Sequence, residues 1–227
     1  MFPRVKRFNN EYHDEVSVKF YDKKQAVEID KTRCIGCGLC IKACPKQVMY
    51  SKLTQGKIKV KTEDLTPEIT NPLDCSYCGT CSYICPVSAI LLKYNNRYVR
   101  KQDLGIVANK VVPNLDFQCV EFTNPQTKSK SFLEGQIEVD WDKCISCMSC
   151  VEVCPTKSFS KTKDNTEKRP KPTLNQDTCT KCGACQRACS KSAIKITVDK
   201  IRFSGPYKEF FWNPLVERIR TVKETTA

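Results

Sequence analysis

Histidine, tryptophan and glycine are scarce in this chain: its 227 residues include one histidine, two tryptophans and 8 glycines. The histidine, His13, follows no CxxC pair, so haem attachment through CxxCH is excluded. No GxGxxG fingerprint, phosphate-binding loop or nucleophile elbow is present, which removes the motif-borne routes to a substrate site. The N-terminus, Met1 to Asn10, lacks an apolar stretch of signal-peptide length, and no run elsewhere is long enough to cross a bilayer. Hydrophobic residues reach 40% only with cysteine counted. Small modules with so little apolar surface rely on bound metal or disulfides to offset chain entropy.

Cysteine is what the chain has in excess. Of 17 cysteines, sixteen fall into four copies of C-x2-C-x2-C-x3-C. The first is Cys34, Cys37, Cys40, Cys44, then Pro45; the second is Cys75, Cys78, Cys81, Cys85, then Pro86. The third is Cys144, Cys147, Cys150, Cys154, then Pro155; the fourth is Cys179, Cys182, Cys185, Cys189, then Ser190. Disulfides do not generate four copies of one spacing, and without a secretory leader the thiols point to a reducing, cytoplasmic setting. Zinc knuckles use two CxxC pairs per ion and leave the third and fourth cysteines idle. A [2Fe–2S] ferredoxin uses another spacing. The C-x2-C-x2-C-x3-C-P run matches [4Fe–4S] binding, in which three thiolates hold one cube and the fourth reaches the neighbouring cube.

That rule predicts four ligand sets. They are Cys34, Cys37, Cys40 with Cys85; Cys75, Cys78, Cys81 with Cys44; Cys144, Cys147, Cys150 with Cys189; and Cys179, Cys182, Cys185 with Cys154. The charge balance agrees. The formal charge is +13, which by itself suggests a nucleic-acid or membrane-surface partner. An oxidised cube with four thiolates contributes −2, so four of them lower the total to about +5, and full one-electron reduction lowers it to about +1. The basic residues therefore compensate a polyanionic interior, and nucleic acid is not expected as a partner.

Spacing also sets the organisation. The alternating stretches Ala26–Asp30 and Ile137–Trp141 precede the first and third runs as short strands. Leu39–Cys44 and Cys150–Cys154 are expected as single helical turns, giving strand, cysteine loop, short helix, strand four times over. The predicted fold is α+β: residues 1–24 an N-terminal extension, 25–100 a first two-cluster module, 101–134 a connector, 135–203 a second module and 204–227 an aromatic tail. Inserts 52–71 and 160–175 separate the halves of each module, the second reading as a solvated loop. Cys119, outside every run, is expected as a small buried hydrophobe. In the tail, Asn213-Pro214 reads as a helix N-cap and first turn. Its aromatics either pack on the chain itself or, as we expect, anchor a partner.

Two departures bear on tuning. Ser190 stands where proline follows the other three runs, and Cys144–Cys150 has no glycine where the other runs have Gly38, Gly79 and Gly183. Potentials follow hydrogen bonds, charge and exposure, so four unequal potentials are expected.

On these residues each half resembles a bacterial-type two-cluster ferredoxin, and the whole chain resembles a polyferredoxin. More loosely it resembles polyferredoxin subunits of methanogenic archaea, such as those of formylmethanofuran dehydrogenase or hydrogenase complexes. The resemblance implies a non-catalytic electron conduit with four [4Fe–4S] clusters in anaerobic metabolism. It implies redox enzyme subunits or another carrier as partners within a hetero-oligomeric complex, without membrane insertion. The alternative is the electron-transfer subunit of a molybdopterin or tungstopterin oxidoreductase such as a formate dehydrogenase. Cysteine spacings in that family are in part irregular, whereas all four here are regular.

Overall fold

Short antiparallel strand pairs frame each cysteine run. The computed structural model describes residues 2–53, 57–99, 112–120, 129–162 and 170–221, and the fold is mixed α+β. In the first half, β3 (Lys24–Asp30) pairs with β6 (Ile90–Tyr94), and β4 (Met49–Ser51) pairs with β5 (Pro67–Ile69). The second half repeats this with β11 (Leu133–Val139) on β14 (Ile194–Ile201) and β12 (Phe159–Ser160) on β13 (Thr173–Leu174). One helical turn follows the middle of each run: α1 (Leu39–Ala43), α2 (Thr80–Ile84), α3 (Ser149–Glu152) and α4 (Ala184–Ala188). Helices of four or five residues cannot stand alone in water. Burial of one face holds these, through Leu39, Ala43, Ile84, Cys150, Ala184 and Ala188.

Residues before β3 are strands as well. β1 (Arg4–Asn9) pairs with β2 (His13–Lys19), β2 pairs with β3, and β7 (Arg97–Tyr98) closes the far edge, giving a five-stranded sheet in the order β1-β2-β3-β6-β7. Val16 and Val18 of β2 are buried, while every residue of β1 is exposed. Lys93 ties three strands together: its Nζ lies 2.6 Å from Glu15 and also meets the buried Glu28.

The insert of the first half crosses onto the second. Val60 and the fully buried Leu65, at the end of a 3-10 turn (Thr62–Leu65), share one core with Ile137, Val153, Ala184, Ala188 and Ile194. The Ser149 hydroxyl at the head of α3 donates to the Ile58 carbonyl at 2.9 Å and accepts from the Val60 N–H at 3.0 Å. The buried face of α1 and α2, formed by Leu39, Ala43 and Ile84, meets Phe132, Leu133 and Ile201.

The tail differs from expectation. Its helix, α5 (Glu209–Arg220), begins four residues before Asn213, with Pro214 inside it. Pro214 cannot donate to the Phe210 carbonyl, a loss that normally disfavours the interior position. Tertiary burial outweighs it: Trp212, Leu215 and Ile219 pack against Leu39, Ala43 and Ile84, and Trp212 stacks edge-on against Phe203. The aromatic anchor expected to dock a partner is thus spent on the chain itself, while Phe210 and Phe211 remain exposed. Strands β8 (Asn114–Leu115) and β15 (Phe203–Ser204) pair beneath it. Residues 104–108, most of the charge run 161–172 and the Cys119 side chain lie outside what is described; the Cys119 backbone pairs with Lys130 between β9 (Gln118–Val120) and β10 (Ser129–Ser131).

Candidate metal centres

Each cysteine run bends through three left-handed residues at fixed offsets. Positive φ occurs at Gly36, Gly38 and Gln47; at Tyr77, Gly79 and Ser88; at Ser146, Met148 and Lys157; and at Lys181, Gly183 and Ser192, all between 48° and 90°. Chains that alternate right- and left-handed residues turn successive N–H groups into one concavity, a nest for negative charge. Cys34 is met by the Gly36 N–H, Cys75 by Tyr77 and Cys179 by Lys181, the same two-residue step in three runs. Ala89 and Ala193 donate their N–H groups to Cys85 and Cys189, each at 3.2 Å. Met148 is the departure: it holds φ 63° where the other runs have glycine, at a cost of roughly 1–2 kcal/mol for an L side chain.

The entry to the first and third runs is also repeated. Asp30 accepts from the N–H groups of Thr32 and Arg33, and Asp140 from those of Asp142 and Lys143. Asp30 and Asp140 donate their own N–H to Ala89 and Ala193, both at 2.8 Å, so the last residues of one run fix the start of its neighbour.

Cysteines from different runs gather around common spaces. A cavity is lined by Cys144, Cys147, Cys150 and Cys189, with Trp141, Met148, Phe159 and Ser190 in its wall. A second is lined by Cys75, Cys78, Cys81 and Cys44. A third is lined by Cys154, Cys179, Cys182 and Cys185. Cys34, Cys37 and Cys85 pack together around Ile35, Val87 and Ala89, and Cys40 feels the charge of Cys34, Cys37 and Cys85. Among the described residues no three His, Cys, Asp or Glu side chains group so as to hold a metal ion; the thiols surround spaces instead. All sixteen are free cysteines.

Burial dominates their acidity. It pushes Cys150 up to about 12 and Cys182 to about 11. Cys37, Cys40, Cys81 and Cys185 are raised further, by burial first and neighbouring thiolates second. Those neighbours also show which gatherings adjoin. Cys40 feels Cys81, Cys37 feels Cys182, and Cys185 feels Cys150. Packing agrees: Cys40 and Cys44 share a core with Cys75 and Cys81, Cys182 packs with Cys34, Cys37 and Cys85, and Cys150 shares a core with Cys185. The four gatherings therefore stand in the order Cys75, Cys34, Cys179, Cys144, each named by its first cysteine. Cys78 is exposed at one end, with Leu73 beside the run; Trp141 and Ile145 are exposed at the other.

Two basic residues at this site carry no sequence signal. Lys42 of α1 donates to the Ile219 carbonyl at 3.3 Å, its pKa lowered by burial and raised in part by Cys37. Arg187 of α4 donates to the carbonyls of Gly36 and Leu65. Both read as ordinary helix-surface cations until the halves are assembled.

Comparison with known proteins adds a family. Three 4Fe–4S dicluster domain families match, over residues 26–86, 71–158 and 143–193. Ferredoxin-3 of Nostoc sp. is 39% identical over 70 residues, 28% of this chain and 72% of that protein. The methylamine utilization ferredoxin-type protein MauM of Methylorubrum extorquens is 26% identical over 181 residues, 76% of this chain and 69% of that protein. Among solved structures, a chain of the formate dehydrogenase–heterodisulfide reductase–formylmethanofuran dehydrogenase complex from Methanospirillum hungatei shares the fold. Its TM-score is 0.73 at 18% identity, covering 97% of this chain and 92% of that one.

Proposed function

The chain belongs to the 4Fe–4S dicluster ferredoxin family, and from that premise we propose that it holds four [4Fe–4S] clusters in series as an electron wire. The carrying observation is the gathering of four cysteines, three from one run and one from its neighbour, around each of three cavities. Thiol-only donors, apolar walls and N–H groups aimed at sulfur suit a cube that needs four thiolates and exclusion of water. The cysteines around Ile35, Val87 and Ala89 supply the fourth site. The ligand sets are those of the crossed rule, and the clusters are named here by their first cysteines. Two modules follow, 25–100 and 135–203, with the Cys34 and Cys179 clusters innermost.

When bound, each cluster accepts and returns one electron without bond making. The protein's own part is to space the four sites, keep water from the inner two and set their potentials through N–H bonds and charge. Complete thiolate ligation leaves no iron for a substrate, so the role is non-catalytic. The Cys75 and Cys144 sets would hold the two end clusters, where electrons could be exchanged with a partner, since their surroundings reach the surface at Cys78 and at Trp141 and Ile145. The partners are redox enzyme subunits or another carrier in a hetero-oligomeric complex, within a reducing, cytoplasmic compartment. No helix among the described residues is long and apolar enough to cross a membrane.

Anaerobic purification followed by iron and sulfide analysis and redox-titrated EPR tests this. The expected result is about sixteen iron atoms per chain and reversible one-electron steps without turnover. About eight iron atoms, redox-silent iron or substrate turnover by the isolated chain overturns it. Co-purifying subunits from the native source identify the partners.

A further inference from the structure

Arg187 stands where the two halves meet. It projects from α4, two residues from both Cys185 and Cys189, yet its donors serve the other half: Nη1 bonds the Gly36 carbonyl and Nη2 the Leu65 carbonyl at 3.3 Å. A Cβ built on Gly38 would lie 2.9 Å from Arg187 Cδ and Nη1, so the side chain rests directly on the first cysteine loop. Behind it, a Cβ on Gly183 would lie 3.5 Å from the Cys37 carbonyl, placing the two loops in backbone contact. Both acceptors are neutral carbonyls. The charges that bear on Arg187 most are Cys40, Cys37, Cys34 and Cys182, which oppose the lowering effect of its burial.

A guanidinium holds its charge more firmly than any other side chain, and the neighbouring cysteines oppose the lowering that burial brings. It therefore supplies a permanent positive charge beside two sites that each become more negative on reduction. Coulomb energy in a partly buried setting far exceeds that of an exposed pair. We propose that Arg187 is the positioning residue of the inter-module junction: it seats one module's cysteine loop on the other and raises the reduction potential of the Cys34 cluster first and the Cys179 cluster second. The proposal rests on the four-cluster reading above. It goes beyond that reading by making the central hop depend on one side chain that ligates nothing. By holding the two inner potentials up, Arg187 favours residence of the electron in mid-wire and lowers the climb out of either end cluster.

The test compares wild type, Arg187→Gln and Arg187→Lys as complete, cluster-loaded chains. Each is read by iron content, by thermal midpoint and by redox-titrated EPR. Arg187→Gln is expected to keep full iron while two of four midpoint potentials fall. The larger fall is at least about tenfold in the reduction equilibrium, or 59 mV for a one-electron couple. Arg187→Lys keeps the charge and loses the paired donors, so it should restore the potentials but not the thermal midpoint. Full iron with four unmoved potentials in Arg187→Gln, or four equal shifts, overturns the role of Arg187 alone. If Arg187→Gln loses iron, Arg187→Lys decides: retained potentials with a lower midpoint support the proposal, and lowered inner potentials refute it. Iron short of four cubes in the wild type overturns the four-cluster reading instead.

Discussion

Gly36→Ala is a sharp probe of how the halves are joined. Gly36 has φ 67°, and a Cβ there would sit 2.6 Å from Leu65 Cβ and 3.0 Å from Leu65 Cδ1. Two separable costs arise. Holding an alanine in the left-handed region costs about 1–2 kcal/mol, and forcing a methyl against a fully buried leucine costs about 1–3 kcal/mol. Restriction of the unfolded chain returns about 0.4–1 kcal/mol. The net is a loss of about 1.5–4 kcal/mol, or about 3–16 °C in thermal midpoint for a chain of this size. The steric share disappears if residue 65 has no Cβ. Leu65→Gly is itself destabilising by several kcal/mol, but in that background Gly36→Ala should cost only the conformational share. A double-mutant cycle from anaerobic urea titrations should therefore show a coupling of about 1–3 kcal/mol. Strictly additive costs would show that Leu65 does not press on the first cysteine loop, and the described junction would be wrong.

Other outcomes can be checked alongside. Cys44→Ala should remove about four iron atoms and the EPR signal of the Cys75 cluster, leaving the Cys34 cluster in place; loss of the Cys34 cluster alone would refute the crossing. Trp212→Ala, at a residue 1% exposed, should cost about 3–5 kcal/mol and speed amide exchange through 209–220. A change below about 1 kcal/mol would mean α5 is not integral to the fold. Acidity gives two opposed trends. Burial holds Cys182 up at about 11 and Cys150 at about 12, against about 8.5 for an unfolded thiol. Iron must displace those protons, so cluster loading should strengthen as pH rises and reverse in acid. In the iron-free chain the sign inverts. The raised thiols contribute stability in full below about pH 8.5, and it is lost as pH climbs through 11–12. Chelator competition from pH 6 to 9 and urea midpoints of the iron-free chain from pH 7 to 11 read the two; a flat response in either would refute it.

What the sequence made legible was local. The spacing of Cys34, Cys37, Cys40 and Cys44 and the alternation through Ala26–Asp30 act within a dozen residues, and β3 and α1 lie where those signals put them. The left-handed residues were half legible: glycine marks Gly36, Gly38, Gly79 and Gly183, whereas Met148, Tyr77 and Lys181 adopt the same geometry without a glycine to announce it. The junction was not legible. Arg187 finds its acceptors 151 and 122 residues away in sequence, and nothing in Gln186-Arg187-Ala188 distinguishes it from a surface cation. Asn213-Pro214 misplaced the start of α5 because capping chemistry is local, while the burial of Trp212 and Leu215 that overrides it is tertiary.

The crossing of residues 57–66 onto α3 and α4 has a consequence for how such a chain can vary. The separation across the central gap is gauged by Leu65, Ser149 and Arg187 gripping the opposite half. The connector shares that duty, because its Leu115, Phe117 and Phe132 lie in one core with Leu39, Ala43 and Ile84. A single deletion within 57–66 should therefore shift one half against the other, so change in that stretch is limited by partners far away in the chain.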